Sequence, residues 1–296
     1  MKVSVIIPTK DRVEYLKRAI DSVLCQSYAV FEIIVVDDAS EDVDYKFLSE
    51  IPTVKLILNK HALGGAGARN VGIRAARGDI VMFLDDDDAW LPNKVQEQLL
   101  AFDNDREVVL VFSGRKIVRS SDLATPIRSI EATSGSINLT NMCLKNCVGT
   151  TSSVAILREK LLEVEGFDNN LPCYQDYDLW LRLSMVGKLA SDKSSGVLYT
   201  IFDEPGHQIS RKQDGRHVFA KEYLLKKYKG KLSVNDYKRL ESNLNFMTSK
   251  AILSYSKFKA LRFAAISLIK SPNVRSFKMM LLSLAVVFGL KSEQVI

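Results

Sequence analysis

The chain is poor in the residues that zinc clusters, disulfide frameworks and hydrolase triads require. It has four cysteines and three histidines in 296 residues. Cys143 and Cys147 lie close together in sequence, but no nearby histidine completes a zinc-ligand spacing. We therefore expect reduced, buried thiols and no disulfide framework. The histidines are too scattered to indicate a hydrolase triad.

Long apolar runs are also missing. The N-terminus has neither the hydrophobic stretch nor the small-residue cleavage site of a signal peptide, so we expect a cytoplasmic chain. Residues 279–290 are almost all apolar, but a helix that crosses a bilayer needs about 20 such residues. This segment indicates either a helix that lies in a membrane interface or one that packs in a core.

Two common nucleotide-binding motifs are absent. The sequence has no Gly-x-x-x-x-Gly-Lys-Ser/Thr, which excludes a P-loop. A Rossmann dinucleotide site needs a glycine-rich turn directly after the first strand. Residues 8–12 fill that position without a glycine, and the glycine-rich segment 64–67 follows the third predicted strand instead. A nicotinamide or flavin enzyme is therefore not expected.

Apolar runs alternate with helical patterns through the first part of the chain. Strands are predicted at 3–7, 31–36, 54–58, 80–84 and 108–112, and helices at 13–26, 42–49, 66–76 and 93–104. Such strands predict an α/β fold with a mostly parallel sheet flanked by helices. Ligands of these sheets bind beyond the carboxyl ends of the strands, where segments 9–12, 37–38 and 85–88 lie.

The following region is less regular. Residues 113–146 are rich in serine, threonine and asparagine and lack clear periodicity, which indicates an irregular substrate loop. Further on, an amphipathic helix is predicted from Tyr177. Asp176 then lies at the N-terminal end of that helix, where the helix dipole favours a carboxylate. A plain capping acid is the alternative interpretation of Asp176.

Four consecutive carboxylates, Asp85 to Asp88, follow the fourth predicted strand. Adjacent carboxylates repel each other, and the end of a strand confines them. A hard cation such as Mg²⁺ or Mn²⁺ would offset the repulsion, because it takes oxygen ligands and shares its remaining sites with phosphate. A solvated acidic loop without a ligand is the alternative.

The net charge of +6 is divided unevenly along the chain. From Lys221 to the end there are 15 Lys/Arg and four Asp/Glu, whereas the first 220 residues have 26 basic and 31 acidic side chains. The basic part predicts an anionic partner, either phospholipid or nucleic acid. Its aromatic residues do not alternate with basic ones in a stacking pattern, so nucleic acid is not expected. A helical appendage packed on the body or on a second copy remains an alternative.

Five blocks in this order resemble family 2 glycosyltransferases of the GT-A fold. They are Val3–Thr9 with Asp11 and Arg12, Ile34–Ser40, the Gly65-x-Gly67-x-Arg69-Asn70-x-Gly72 segment, Phe83–Asp88 with Trp90 and Pro92, and Gln175–Trp180. The resemblance covers residues 1–210. It implies a GT-A domain over 1–215, with a nucleotide-sugar half at 1–100 and an acceptor half at 101–215. A basic amphipathic helical tail over 216–296 would follow.

The resemblance also implies roles for individual residues. Pro8, Thr9 and Asp11 would line the pocket of the base and the ribose. Asp38 would accept a hydrogen bond from the base, uracil in the commonest case. Arg69 would approach the base or the phosphates.

The same resemblance assigns the acids near the reacting groups. Asp87 would hold Mg²⁺ or Mn²⁺, Asp85 or Asp86 would bind the ribose hydroxyls, and Asp176 would be the catalytic base. His207 would contact the metal or the phosphates, with a plain surface histidine as the alternative. Asp88 is expected to be structural.

The chain departs from the family pattern at two positions. The family often has serine where this chain has Asp86, and glutamate where it has Gln175. Asp86 adds negative charge beside the expected metal. Gln175 cannot ionise, which leaves Asp176 as the only acid of that pair.

The sequence and the resemblance together predict an inverting enzyme. It would move a hexose or N-acetylhexosamine from a UDP-sugar to a saccharide acceptor, as in O-antigen or capsule assembly. The basic tail indicates a lipid-linked acceptor and peripheral association with the anionic inner face of the cell membrane. The alternative is a non-catalytic nucleotide-sugar or polyanion-binding protein with a decayed site.

Overall fold

The structure is a computed structural model that describes residues 1–103, 105–133, 135–203 and 215–290. These residues divide into two compact units. The first contains Met1–Asn138, Cys147–Asn169 and Gln175–Asp203, and the second contains Leu139–Asn146, Asn170–Tyr174 and the described residues from 215 to 290. The predicted domain boundary after residue 215 stays a prediction.

Strands and helices alternate through the first unit, and helices make up the second. The strands are β1 (Val3–Thr9), β2 (Glu32–Asp37), β3 (Val54–Leu58), β4 (Ile80–Phe83), β5 (Ala89–Trp90), β6 (Val108–Phe112), β7 (Arg115–Arg119), β8 (Arg128–Ile130), β9 (Val154–Leu157), β10 (Lys188–Ser191) and β11 (Val197–Ile201). The helices are α1 (Val13–Leu24), α2 (Gly64–Ala75), α3 (Lys94–Asp103), α4 (Leu139–Leu144), α5 (Arg158–Glu163), α6 (Gln175–Val186), α7 (Arg216–Tyr228), α8 (Val234–Ile252), α9 (Lys257–Lys270) and α10 (Val274–Val287).

A seven-stranded sheet in the order β10-β6-β9-β4-β1-β2-β3 forms the centre of the first unit. Strands β4, β1, β2 and β3 run parallel to one another, whereas β9 is antiparallel to both of its neighbours. Every side chain of β2 and of β4 is buried, as the continuous apolar runs require. The predicted α/β architecture with a mostly parallel sheet flanked by helices is confirmed.

The helices pack closely on this sheet. Leu16, Ile20 and Val23 form the buried side of α1 at helical spacing. On α2, Gly72 lies so close to β1 that a Cβ there would be 2.4 Å from Cγ2 of Ile6. A glycine at this position therefore sets how closely α2 approaches β1.

The irregular loop predicted for residues 113–146 is wrong, because this region contains β7, β8 and α4. Strands β7 and β8 belong to a second sheet, in the order β5-β11-β7-β8. Much of β7 is only half-buried and β8 is largely exposed, so neither strand has the apolar run that reveals a core strand. The short helix predicted at 42–49 is a 3-10 turn at Lys46–Glu50.

The second unit is a small helical bundle. Helices α8, α9 and α10 share a core that contains Ile252, Ala260, Ala264, Met279 and Val286. Ser233 caps α8 and accepts a hydrogen bond from the backbone N–H of Asp236. Among the described residues, no helix combines the length and the apolar character that crossing a membrane demands.

Candidate active site

The four acids lie where the chain leaves β4. Register pairs Phe83 of β4 with Ile6 of β1, which brings the acids beside the end of β1. The backbone then turns, and the N–H of Asp88 donates to the carbonyl of Asp85 at 3.0 Å. Asp86 and Asp88 are buried. The alternative of a solvated acidic loop therefore does not hold.

The loop after β1 contacts two of these acids. The hydroxyl of Thr9 donates to Asp86 at 2.9 Å. The guanidinium of Arg12 lies 2.9 Å from Asp87 and 3.4 Å from Asp86. One cation thus partly balances two carboxylates.

The 3-10 turn before β9 contacts the two outer acids. The hydroxyl of Thr151 donates to Asp85 at 3.1 Å, and Ser152 donates to Asp88 at 2.6 Å. Asp88 also accepts the backbone N–H of Thr200 from β11 at 2.9 Å. Both oxygens of this buried carboxylate are therefore bonded within the protein, in agreement with the structural role expected of Asp88.

Burial makes the ionised form of these acids unfavourable. It raises the pKa of Asp86 to about 7, and repulsion from Asp87 adds to that effect. Burial also raises the pKa of Asp87, with repulsion from Asp85 as the next cause. A bound cation would act in the opposite direction and favour the charged forms.

Asp38 holds the loop that leads into α2. Its carboxylate accepts hydrogen bonds from the amide of Asn59 at 3.0 Å and from the backbone N–H groups of Leu63 and Gly64 at 2.8 Å each. Gly64 has a φ of +73°, a conformation that favours glycine. The carboxylate therefore orders the start of the helix that carries Arg69.

The predicted base and ribose pocket lies at the ends of β1 and β2. Pro8 and Thr9 are the last residues of β1, and the backbone N–H of Asp38 donates to the carbonyl of Thr9 at 2.9 Å. Asp11 accepts from the N–H of Glu41 at 2.9 Å. Contact with a base or a ribose stays a prediction for these residues.

Residues far apart in sequence meet around Arg69. Its guanidinium donates to Asp85. Asp176, in the first turn of α6, is close enough to Arg69 and Asp85 for both to act on its pKa. Burial is the largest influence and raises that pKa, while Arg69 lowers it. Asp176 also accepts the backbone N–H of Tyr177 at 2.7 Å.

Comparison with known sequences assigns the family. The sequence profile of glycosyl transferase family 2 matches residues 4–165, which is more than half of the chain. The chain belongs to glycosyl transferase family 2. The predicted resemblance is thereby confirmed.

Several curated relatives within the family are about one-third identical to the chain. AmsB of Erwinia amylovora, an amylovoran biosynthesis glycosyltransferase, is 33% identical over 201 residues, which cover 62% of this chain and 64% of AmsB. WfgD of Escherichia coli is 31% identical over 183 residues, which cover 61% of this chain and 69% of WfgD. An uncharacterized glycosyltransferase of Haemophilus influenzae is 30% identical, and the match covers 61% of each chain. The match therefore spans less than two thirds of the H. influenzae protein and of AmsB.

Solved structures share the fold of this family 2 chain. Residues 1–349 of S. aureus TarS, in complex with UDP, align with a TM-score of 0.59 and 16% identity over 98% of this chain and 92% of that one. The mannosyltransferase PcManGT of Pyrobaculum calidifontis, in complex with GDP-Man and Mn²⁺, aligns with a TM-score of 0.57 and 16% identity. This alignment covers 99% of this chain and 82% of PcManGT. The predicted GT-A fold is confirmed by these likenesses.

The donor set of this family 2 site fits a hard divalent cation. Asp85 and Asp87 offer carboxylate oxygens, the ligands that Mg²⁺ and Mn²⁺ prefer. In the part of the chain that the structure describes, no three His, Cys, Asp or Glu residues gather into a metal site. A cation held by Asp87 would therefore need further ligands from a diphosphate or from water, which is usual for Mg²⁺.

Sequence reasoning missed several side chains around the acids. The sequence motifs predict no role for Arg12, Thr151 or Ser152, although each contacts at least one of the acids. Arg18 donates to the backbone carbonyl of Asp87 at 3.2 Å. The sequence signal available for Arg18 was its basic side chain in the first half of α1, the helix that follows β1. No sequence signal indicated Thr151 and Ser152, because the position of β9 in the sheet is not evident from the sequence.

His207 lies outside the described residues, so its contact with metal or phosphate stays a prediction. Asp178, two positions after Asp176, is fully buried and pairs with Arg182 at 2.7 Å. The two acids of α6 thus have different environments, and only Asp176 faces the site.

Proposed function

We propose that this chain is an inverting glycosyltransferase that moves a hexose or N-acetylhexosamine from a UDP-sugar to a saccharide acceptor. The observation that carries the proposal is the meeting of Arg69, Asp85 and Asp176 from three separate elements beside Asp87. The activity named for one sequence relative and the ligand of one structural neighbour agree with a nucleotide-sugar donor. WfgD is a UDP-Glc:alpha-D-GlcNAc-diphosphoundecaprenol beta-1,3-glucosyltransferase, and TarS has been crystallised with UDP-GlcNAc.

Asp176 is proposed as the general base. In the reaction, the acceptor hydroxyl oxygen forms a bond to the anomeric carbon, and the bond from that carbon to the diphosphate oxygen breaks. UDP leaves with the bonding electron pair. The hydroxyl proton passes to the carboxylate of Asp176, whose raised pKa makes it a better base than an exposed aspartate. Attack from the face opposite the leaving group inverts the anomeric configuration.

Arg69 and Asp87 are proposed to act on the donor side. A divalent cation bound at Asp87 would neutralise the charge that develops on the departing diphosphate. Arg69 pairs with Asp85 and is close enough to Asp176 to lower its pKa, so this guanidinium is suited to hold the diphosphate near the acceptor. Asp85 and Asp86 would bind the ribose hydroxyls, and Asp38 the base.

The acceptor is proposed to be a lipid-linked saccharide, with the chain peripheral on the inner face of the membrane. The name of WfgD includes a diphosphoundecaprenol acceptor, and that of AmsB includes polysaccharide biosynthesis. The basic C-terminal part of the chain supports attraction to anionic lipid. Cell-surface polysaccharide assembly, such as that of O-antigen or capsule, is the process that we propose.

A donor screen tests this function. Purified chain with Mn²⁺ and a diphosphoundecaprenol-linked N-acetylglucosamine acceptor is incubated with UDP-glucose, UDP-galactose, UDP-N-acetylglucosamine or GDP-mannose. Acceptor-dependent release of UDP from one UDP-sugar, with an extended glycolipid as the other product, is expected. Release from GDP-mannose alone would contradict the proposed donor class. Binding of UDP without any transfer would favour a non-catalytic binding protein.

A further inference from the structure

Helix α10 exposes several large apolar side chains, although an ordinary bundle helix turns its apolar residues inward. Its exposed side carries Val274, Phe277 and Leu281, and Phe288 follows directly after its end. These side chains are 72%, 52%, 49% and 82% exposed. Their spacing of three, four and seven residues places them along one side of the helix. A helix that serves only to stabilise a soluble bundle would turn such residues inward.

Serines make much of the buried side. Ser276 and Ser283 of α10 are buried, and their hydroxyls contact those of Ser267 at 3.0 Å and of Ser249 at 3.5 Å. Ser242 donates to the carbonyl of Ser267 at 2.7 Å. Ser276 and Ser283 share the buried side of α10 with Met279 and Val286, which belong to the apolar core of the bundle. The exposed apolar side of α10 is therefore not needed to hold the bundle together.

Helix α9 extends this apolar surface. Phe258 and Ile269 are 77% and 75% exposed, and they are 11 residues apart, which is about three helical turns. Arg262, between them on the same side, is exposed as well. The α9–α10 hairpin, residues 257–288, thus has large apolar side chains exposed on both of its helices.

The charges that the hairpin itself carries have one sign, although Glu241 of α8 pairs with Lys270 of α9 at 2.9 Å. From Ser242 to Leu290 the sequence has seven Lys/Arg and no Asp/Glu. Lys257, Lys259 and Lys278 are exposed near the apolar residues of the hairpin. A partner that accepts both aromatic side chains and a cationic rim must be apolar inside and anionic at its surface.

We propose that the exposed side of the α9–α10 hairpin lies in the headgroup region of an anionic phospholipid bilayer. Phe258, Ile269, Phe277, Leu281 and Phe288 would enter the boundary between headgroups and acyl chains, and the lysines would contact lipid phosphates. A symmetric contact between two copies is less favourable, because it would bring two cationic surfaces together. The inference deepens the proposed function, because it names the surface that would bring the chain to its lipid-linked acceptor. This link to the acceptor rests on the proposed function, whereas the binding of lipid does not.

Vesicle co-sedimentation of the full chain tests the surface. Vesicles of phosphatidylcholine mixed with phosphatidylglycerol are compared with vesicles of phosphatidylcholine alone. We expect binding to the mixed vesicles, and a loss of about tenfold in partitioning for the double variant Phe277→Ser/Leu281→Ser. The variant Lys257→Glu/Lys259→Glu/Lys278→Glu should lose binding to the same extent. The control Leu58→Ser/Ile127→Ser removes two exposed apolar side chains from the first unit and should bind as the wild type does.

Specific outcomes overturn the inference. Equal sedimentation of the wild type and both hairpin variants would show that another surface binds lipid. Concentration-dependent self-association that Phe277→Ser/Leu281→Ser abolishes, without vesicle binding, would assign the surface to a second copy of the chain. The vesicles contain neither donor nor acceptor, so a chain that binds them without transferring sugar would contradict the proposed function alone. Sugar transfer without vesicle binding would contradict only the membrane surface.

Discussion

The guanidinium of Arg12 lies 2.9 Å from the carboxylate of Asp87, the acid predicted to hold a metal. The same guanidinium is 3.4 Å from Asp86, so a single cation from the loop after β1 contacts the buried Asp86 and the half-buried Asp87. Arg12 lowers the pKa of both acids, although burial outweighs it in each case. A divalent cation at Asp87 would share that carboxylate with Arg12, and this links metal binding to stability.

Replacing Arg12 should destabilise the chain and increase its response to metal. In Arg12→Gln the two acids lose their shared cation, and we expect the free energy of unfolding to fall by about 1–2 kcal/mol. This loss is smaller than that for breaking a fully buried ion pair, because Arg12 is partly exposed. Mn²⁺ should then raise the melting temperature of Arg12→Gln more than that of the wild type. Thermal unfolding with and without Mn²⁺ measures this, with the exposed Arg106→Gln as control. An identical Mn²⁺ effect in all three proteins would show that Arg12 and the metal do not share the carboxylate of Asp87.

Asp87 and Asp88 should differ in what they contribute. Asp87→Asn removes a carboxylate from the predicted metal site, and Mn²⁺ affinity in the presence of UDP should fall by at least about tenfold. Replacing even a residue that only hydrogen-bonds to a metal ligand lowers metal affinity by this amount. Asp88→Asn keeps an oxygen for the N–H of Thr200 and should keep most of that affinity. Calorimetric titration of Mn²⁺ compares the two. Equal losses of Mn²⁺ affinity in the two variants would mean that Asp87 and Asp88 contribute equally to metal binding.

Lys94 should make stability depend on pH. It is fully buried, its ammonium donates to Gln98 at 2.7 Å, and burial lowers its pKa to about 7 from an ordinary 10.5. The unfolded chain binds more protons than the folded chain between these values, so stability rises with pH across that window by up to about 1.4 kcal/mol per pH unit. The destabilising contribution of Lys94 is fully present below pH 7 and is absent above pH 10.5.

The variant Lys94→Met removes that dependence. Urea unfolding at several pH values from 7 to 10 should show a flatter curve for Lys94→Met than for the wild type, whereas the exposed Lys60→Met should follow the wild type. Parallel curves for Lys94→Met and the wild type would mean that Lys94 stays charged inside the folded chain.

Asn70 should stabilise the loop that follows α5. Its side-chain amide donates to the carbonyl of Phe167, and its oxygen accepts the N–H of the same residue, both at 2.8 Å. Asn70→Ala leaves two buried backbone groups without partners, and we expect a loss of about 2–3 kcal/mol in the free energy of unfolding. Chemical denaturation measures the loss, and the exposed Asn235→Ala in α8 should change stability by less than about 0.5 kcal/mol. A similar small change in Asn70→Ala would contradict this role.

Most of the central sheet was predictable because its inner strands appear in the sequence as apolar runs. Strands β1, β2, β4 and β6 are buried on both faces. The edge strand β3 exposes Lys55 and Leu58, and its remaining apolar residues were sufficient to predict it. The order of these runs also predicted that Thr9, Asp38 and Asp86 would lie at one edge, and the hydrogen bond from Thr9 to Asp86 is a direct result of that arrangement.

The polar part of the site was less accessible to sequence reasoning. Strand β7 is half-buried and charged, so it has no apolar period to reveal it. Ser152 contacts Asp88 only because the antiparallel β9 lies next to β4, and no local pattern specifies that pairing. Asp176 was identified from its family resemblance, since its own helix start is equally compatible with a capping acid.

Turnover of Asp176→Asn measures the central claim most directly. The amide keeps the shape of the side chain and an acceptor for the N–H of Tyr177, but it cannot take a proton from an acceptor hydroxyl. With a UDP-sugar, Mn²⁺ and the lipid-linked acceptor, we expect kcat to fall by about 10²–10⁴-fold while UDP affinity stays within a few-fold of the wild type. Asp178→Asn on the same helix should retain its kcat at temperatures where it remains folded. Turnover of Asp176→Asn close to that of the wild type would contradict the assignment of the catalytic base.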